Sequence, residues 1–282
     1  MSHRTNQAKR LASLSGSYAI LLLFTVIAVY PVTRIITISL RPGDRLLSTS
    51  LQVIPDDATL DNFRELLFET PFLRWVLNSL IVAAVVTVTG VALASTAGYA
   101  LSRYKFRGRG SMLSGLLVTQ MFPATMLLLP LYVVLINLQL LNSYIGLIII
   151  YTATALPFCV WQMKGYYDTI PIALEEAAHI DGCTPWQAFY RVVFPLAAPA
   201  LVITALFSFM TAWNEYVIAN VVLQNVELFT LPLGLKMFQG SMTTQWGLYA
   251  AGALLVSIPV VALFLVLSRF LISGLTLGSV KG

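Results

Sequence analysis

Six apolar stretches divide the chain, each near the roughly 20 residues that a bilayer core requires. They cover 18–38, 76–101, 112–136, 144–163, 200–223 and 247–272. The pattern predicts an all-α, polytopic membrane protein with six transmembrane helices. The first stretch is too long for a signal-peptide core and lacks a small-residue cleavage site after it, so it reads as a retained span. Between the fourth and fifth stretches, 164–199 is too polar to span and too regular to be a linker.

Composition agrees with lipid as the solvent. Of 282 residues, 58% are hydrophobic and 10% charged, and mean hydropathy is +0.82. Soluble domains are about half apolar and about a quarter charged, so these charges could not cover a water-exposed surface. The net charge of +5 is not spread as a nucleic-acid patch would be. It sits in short segments between apolar runs: Arg4, Lys9 and Arg10; Arg103, Lys105, Arg107 and Arg109; Lys164 and Arg191; Arg269 and Lys281. Six crossings put all of these on one side, which the positive-inside rule makes cytoplasmic, with both termini. The expected organisation is a cytoplasmic tail at 1–17, a six-helix domain at 18–272 and a cytoplasmic tail at 273–282. Within the domain lie an outer loop at 41–74, a cytoplasmic loop at 164–199 and an outer loop at 224–246.

The first outer loop carries turn signals at Pro42-Gly43 and Pro55-Asp56-Asp57. The run 61–69 then reads as a short amphipathic helix, either a cap over the bundle, the reading favoured, or a docking surface. Gly90, Ala94 and Gly98 recur every four residues on one face of the second span, which lets helices approach closely in lipid. Cys159 lies in an apolar run and Cys183 in a polar loop, so no disulfide between them is expected.

The 164–199 loop predicts a helix–turn–helix. Pro171 suits a first helical turn. Good helix formers follow from Ile172 to Ile180, with Glu175 and Glu176 near the positive end of the helix dipole. Asp181-Gly182 stops the helix, because glycine tolerates a left-handed C-terminal turn. Thr184-Pro185-Trp186-Gln187 opens a second helix with a capping box and proline at its first position. Trp186, Phe189, Tyr190 and Val193 follow at helical spacing, and Pro195 and Pro199 are expected to end it. Such a hairpin is either a surface element packed on the bundle or a rigid knob for a soluble partner, since rigid apolar anchors dominate interface energy.

These residues carry a resemblance. Glu176-Ala177-Ala178, then Gly182, then Val192-Val193-Phe194-Pro195 is similar to the EAA motif of ABC-importer permeases. That motif usually ends Ile-x-Leu-Pro, so Val192 and Phe194 are conservative departures. The tail Ser273–Gly282 and the stretch Ala212-Trp213-Asn214-Glu215 resemble the carbohydrate group of these permeases, in particular the smaller subunit of maltose/maltodextrin or trehalose importers. The resemblance implies an ATP-driven sugar importer of which this chain forms half of the pathway. Its EAA helix–turn–helix, with Glu176, Ala177, Ala178, Asp181, Gly182, Trp186 and Pro195, would dock on an ATPase subunit. Its C-terminal residues Gly278, Ser279, Val280, Lys281 and Gly282 would reach between two ATPases, and the 224–246 loop would meet a solute-binding protein. The implied partners are a second permease subunit, two ATP-binding subunits and that binding protein, in a bacterial or archaeal inner membrane. No cofactor is expected in this chain, with ATP and Mg bound by the partner subunits.

No G-x-x-x-x-G-K-[ST] phosphate loop occurs in the sequence, so ATP binding of the Walker type is not expected. His3 and His179 are the two histidines, too few for a histidine metal cluster. No catalytic residue is expected. A secondary transporter driven by an ion gradient is a rival reading, and a channel or scaffold a further one. Secondary transporters place ionisable groups near the midplane, where Glu215, toward the outer half of the fifth span, is the main candidate. A structural role for Glu215 is equally open. Gln120, Tyr151, Thr152, Asn214 and Glu215 are candidate pathway-lining residues, alongside Asn137 and Thr154. The cargo is expected to be maltose, maltodextrin, trehalose or another oligosaccharide, with a glycerol-phosphate-type solute as the alternative.

Overall fold

Small residues set the closest helix contacts. In the computed structural model, which describes residues 2–43, 52, 54–240 and 244–277, the described residues are helical apart from turns, loops and one isolated bridge between Gln239 and Thr244. In chain order the helices are α1 (Ser2–Ser39), α2 (Asp61–Phe68), α3 (Phe72–Arg103), α4 (Arg109–Thr119), α5 (Leu128–Asn137), α6 (Tyr144–Tyr167), α7 (Ala173–Ile180), α8 (Pro185–Ala188), α9 (Phe194–Leu196), α10 (Ala198–Trp213), α11 (Val217–Val222), α12 (Leu231–Lys236) and α13 (Trp246–Leu277). Among the described residues, four segments are long and apolar enough to cross a bilayer: Leu14–Ser39, Phe72–Arg103, Tyr144–Tyr167 and Trp246–Ser268. A fifth candidate is the run Pro185–Leu196 with Ala198–Trp213, bent by 78°.

The chain divides into two units, Met1–Thr70 with Met237–Leu255, and Pro71–Lys236 with Val256–Gly282. In the first, α1 exposes apolar side chains such as Leu22, Phe24 and Val26, as a lipid-facing helix does. The expected amphipathic helix of the outer loop is α2, one residue shorter than its pattern. Buried Asn62 fixes it to the end of α1, donating to the carbonyls of Ser39 at 2.9 Å and Arg41 at 2.8 Å. The loop between Asp44 and Leu51 lies outside the described residues.

In the second unit α3 packs against α6 and α10 through the small-residue face. A side chain at Gly90 would meet Ser208 Oγ at 2.8 Å, and one at Gly98 would meet Met163 Cβ at 2.8 Å and Lys164 N at 3.0 Å. Ala94 between them is fully buried. Leu101, Ala155, Cys159, Met163, Tyr167, Phe189 and Val193 continue this core toward the end of α3. At the opposite end, Asn78 donates to the carbonyls of Glu227 and Phe229, and Trp75 to that of Val226, which holds the 226–229 segment down.

Two expected spans are interrupted. The 112–136 stretch is α4, a 3-10 turn at Ala124–Leu127 and α5. Pro123, with extended ψ of 130°, cannot continue α4 because it has no N–H to donate. The 200–223 stretch is α10 and α11, parted at Asn214–Tyr216. Sixteen residues of α10 rise only about 24 Å, short of a roughly 30 Å hydrocarbon core.

Candidate functional site

The 164–199 loop folds as two short arms, and the two ends that meet at the turn are closed by the chemistry their residues carry. α7 ends in a Schellman arrangement: Gly182 N–H donates to His179 O at 3.0 Å and Cys183 N–H to Ala178 O at 2.9 Å. Gly182 has φ of +85°, a backbone state that a Cβ disfavours. Thr184 then caps the second arm in a reciprocal box. Its Oγ1 accepts from Gln187 N–H, and Gln187 Oε1 accepts from Thr184 N–H at 2.8 Å. Such a cap is worth about 1 kcal/mol. The turn is therefore fixed at both ends.

The second arm differs from its expected end. Helix runs without interruption from Pro185 through a π-turn at Phe189–Val193 and α9, and the break comes at Ala197. Pro195 does not terminate it. The helix accommodates Pro195 by widening before it: Phe194 N–H donates five residues back to Phe189 O, and this π-turn makes room for a residue that has no N–H to give. Pro199 sits in the first turn of α10.

The two arms present one buried and one open face. Phe189 and Val193 are buried, with Phe189 against Tyr99 at 4.5 Å between ring centroids. Trp186 is 66% exposed and Ile180 87% exposed, with Leu174, Ile172 and Tyr190 also out. Of the residues singled out by motif, Glu176, Ala177, Asp181 and Gly182 are on the open side with Trp186, whereas Ala178 is buried. An aromatic and several aliphatic side chains held in water by a rigid turn form a surface suited to a partner's cleft.

Glu175, not Glu176, anchors the hairpin. Its carboxylate pairs with Arg103 Nε at the end of α3 and accepts from Tyr99 Oη at 2.6 Å. The Arg103 and Glu175 side chains are only 9% and 7% exposed. Arg103 also donates to Tyr167 O at 2.9 Å and Ile170 O at 3.0 Å, which closes the end of α6. Beside it Asp168 accepts from Ser102 Oγ at 2.6 Å and pairs with Lys164 at 2.6 Å. Burial by itself would raise the Asp168 carboxyl. Hydrogen bonds from Lys164 and Ser102, with the charges of Lys164 and Arg109, hold it below the ordinary carboxylate range.

The candidate lining residues separate. Gln120 and Thr154 line a cavity of about 240 Å³ with Phe122, Leu127, Pro157 and Ile218, and Gln120 Nε2 donates to Thr154 O at 3.2 Å. Tyr151 and Thr152 do not line it. Tyr151 is fully buried and donates to Glu215 Oε2 at 2.6 Å, and Thr152 shares a 3.1 Å hydrogen bond with Thr89 on α3. Glu215 stands between α10 and α11 and accepts from the N–H groups of Ile218 at 2.8 Å and Ala219 at 3.0 Å. It is a cap on α11 tied to α6. Asn214 is exposed and donates to Met210 O. Asn137 is the last residue of α5. The tail residues Gly278, Ser279, Val280, Lys281 and Gly282 lie outside the described residues.

Residues 90–276 match the model of a family described as the binding-protein-dependent transport system inner membrane component. The chain belongs to this family. The chain also aligns almost throughout with proteins of near-equal length. It is 35% identical over 287 residues to the maltose/maltodextrin transport system permease protein of Yersinia pestis, covering 95% of this chain and 94% of that one. It is 37% identical over 254 residues to the diacetylchitobiose uptake system permease protein of Streptomyces coelicolor, covering 90% and 92%. One chain of a crystal structure of a bacterial ABC transporter involved in the import of the acidic polysaccharide alginate superimposes with a TM-score of 0.79 at 25% identity, over 93% of this chain and 97% of that one. The chain is thus a multi-pass inner-membrane permease component of the ABC-importer type, as the motif at Glu176–Pro195 implied.

The anchoring residues of this permease were not singled out from its sequence. Glu175 reads there as a helix-dipole residue and Arg103 as part of a positive-inside cluster. The spacing of Tyr99 and Arg103, four apart on one face of α3, is a signal only once their shared partner is known.

Proposed function

We propose that this permease is one transmembrane subunit of an ATP-driven oligosaccharide importer and forms half of the pathway. Its six crossings are the four long helices and two interrupted ones, α4 to α5 and α10 to α11, with both termini cytoplasmic. The hairpin 173–196 docks on an ATPase subunit through Glu176, Ala177, Asp181, Trp186 and the turn at Gly182. ATP and Mg are held by two such partner subunits, and residues 278–282 reach toward them. A second, different permease subunit completes the pathway, and an extracytoplasmic binding protein meets the 224–246 loop.

The observation that carries this reading is the hairpin itself: capped on both sides of its turn, anchored by a buried ion pair, and bearing Trp186 and Ile180 on its open face, in a chain whose sequence has no phosphate loop. The oligosaccharide class is supported by relatives named for maltose/maltodextrin and diacetylchitobiose uptake over nearly the full length. Affinity purification from membranes co-expressing the neighbouring transport subunits tests it. Recovery with an ATPase and a second permease is expected, and recovery without any ATPase overturns it. In the reconstituted complex, Gly182→Pro is expected to abolish ATP-driven uptake while the subunit still inserts. Proline cannot adopt the φ of +85° seen at Gly182 and lacks the N–H that Gly182 gives to His179 O. Normal uptake by this variant would remove the hairpin from the coupling route.

A further inference from the structure

The open face of the hairpin accounts for how a partner could hold it, not for how its movement reaches the membrane helices. We propose that Arg103 is the positioning residue that makes α7, α3 and α6 move together, and that it sets how much transport each ATP yields. The inference rests on the reading of the hairpin as the ATPase-docking element.

The guanidinium is shared by three elements. It belongs to the last residue of α3, pairs through Nε with Glu175 of α7, and donates through its two amino groups to Tyr167 O and Ile170 O at the end of α6. These bonds use its fixed planar fork, which an ammonium cannot reproduce. Tyr99, one turn back on the same face of α3, holds the other carboxylate oxygen of Glu175. A carboxylate gripped at both oxygens by two residues of one helix is fixed in direction as well as distance. A single contact would act as a tether; this pair resists rotation of α7 against α3.

Burial makes the joint stiff. Both charged side chains are nearly closed off from water, so parting them would leave an unpaired charge in an apolar surround, next to Tyr167 and Phe189. Under load the cluster travels as a unit. Phe189 on the second arm, packed on Tyr99, Tyr167 and Trp186, gives the other arm contact with the same region. Force applied at Trp186 and Glu176 therefore enters α3 and α6 beside the close contact at Gly98.

The test uses the complete reconstituted transporter with its ATPase subunits and binding protein, and reads sugar accumulated per ATP hydrolysed. A purely structural role would lower the amount of complex and both rates in proportion, leaving the ratio unmoved. Arg103→Gln is expected to lower the ratio at least about tenfold, Arg103→Lys to restore it only in part, and the exchanged pair Arg103→Glu with Glu175→Arg to exceed either single change. Where Arg103→Gln does not assemble, Glu175→Gln, which keeps the volume and one acceptor, is expected to lower the ratio about threefold. A parental ratio in either neutral variant overturns the proposal, as does failure of both to insert. Gly182→Pro in the same assay separates the two readings. If it uncouples and the Arg103 variants do not, only the joint is wrong; if it too retains normal uptake, the docking hairpin falls first.

Discussion

Gly98→Ala and Gly90→Ala add the same single methyl to the same helix face, yet the structure predicts different costs. At Gly98 the new Cβ would lie 2.8 Å from Met163 Cβ and 3.0 Å from Lys164 N, with Met163 C at 3.3 Å. These atoms are fixed to the α6 backbone. Carbon pairs settle at about 3.5–4.0 Å, so α3 and α6 must part by roughly 1 Å locally, in a region where Met163 and Leu101 are buried. Overpacking of this kind costs about 1–3 kcal/mol, and the lack of a rotatable neighbour places Gly98→Ala toward the upper end. At Gly90 the close atom is Ser208 Oγ at 2.8 Å, with Ser208 Cβ at an ordinary 3.4 Å. Rotating that hydroxyl relieves the clash at the loss of its long 3.5 Å contact with Cys159 Sγ, for a cost toward the lower end of that range. Equilibrium unfolding of each purified variant in mixed detergent micelles, against the parent, measures both. A Gly98→Ala variant as stable as the parent, or a larger loss at Gly90, would refute the assignment of the α3–α6 contact as the tight one.

Two further measurements address the polar joints. The Asp168 carboxyl is held below its ordinary range, so between its folded and unfolded values the folded chain binds fewer protons. Its contribution is complete above about pH 4 and is lost as pH falls through the lower folded value; the stability gap between parent and Asp168→Asn is expected at pH 7 and should close in acid, whereas a gap independent of pH contradicts the assignment. Glu215→Ala strips a partner from the Tyr151 hydroxyl and from two N–H groups of α11, at about 1–3 kcal/mol for each buried group left unpaired. Tyr151→Phe should cost markedly less in the Glu215→Ala background than in the parent, and strict additivity in micelle unfolding would break the proposed link.

The long helices were legible because apolar length is enough to specify them: α3, α6 and α13 contain their expected spans and extend a few residues beyond. The hairpin turn was legible for a different reason. Gly182, Thr184, Pro185 and Gln187 act on backbone groups within a few positions, so their geometry is local. The interruptions were not read, although their residues were visible. Apolar composition carried 112–136 past Pro123 and 200–223 past Asn214-Glu215, because a hydropathy window does not register a lost N–H donor or a carboxylate turning back to cap the next helix. The same limit hid the fate of Pro195, whose effect depends on the π-turn before it.

The adjacent pair Glu175 and Glu176 shows where local reading stops. Both are favourable near the start of α7 and chemically alike, and the motif draws attention to the second. One residue is a turn of about 100° on a helix, enough to put one carboxylate in the protein and its neighbour in water. Which one is buried is decided by Arg103, 72 positions earlier, and by Tyr99 beside it. The consequence is a division of labour: Glu176 stays in water because Glu175 is committed to α3. Exchanging the two roles would require rotating α7, which would bury the open His179 and bring out Ala178. The face that the hairpin offers for the proposed docking is therefore fixed from within the permease, by Arg103 and Tyr99 holding Glu175.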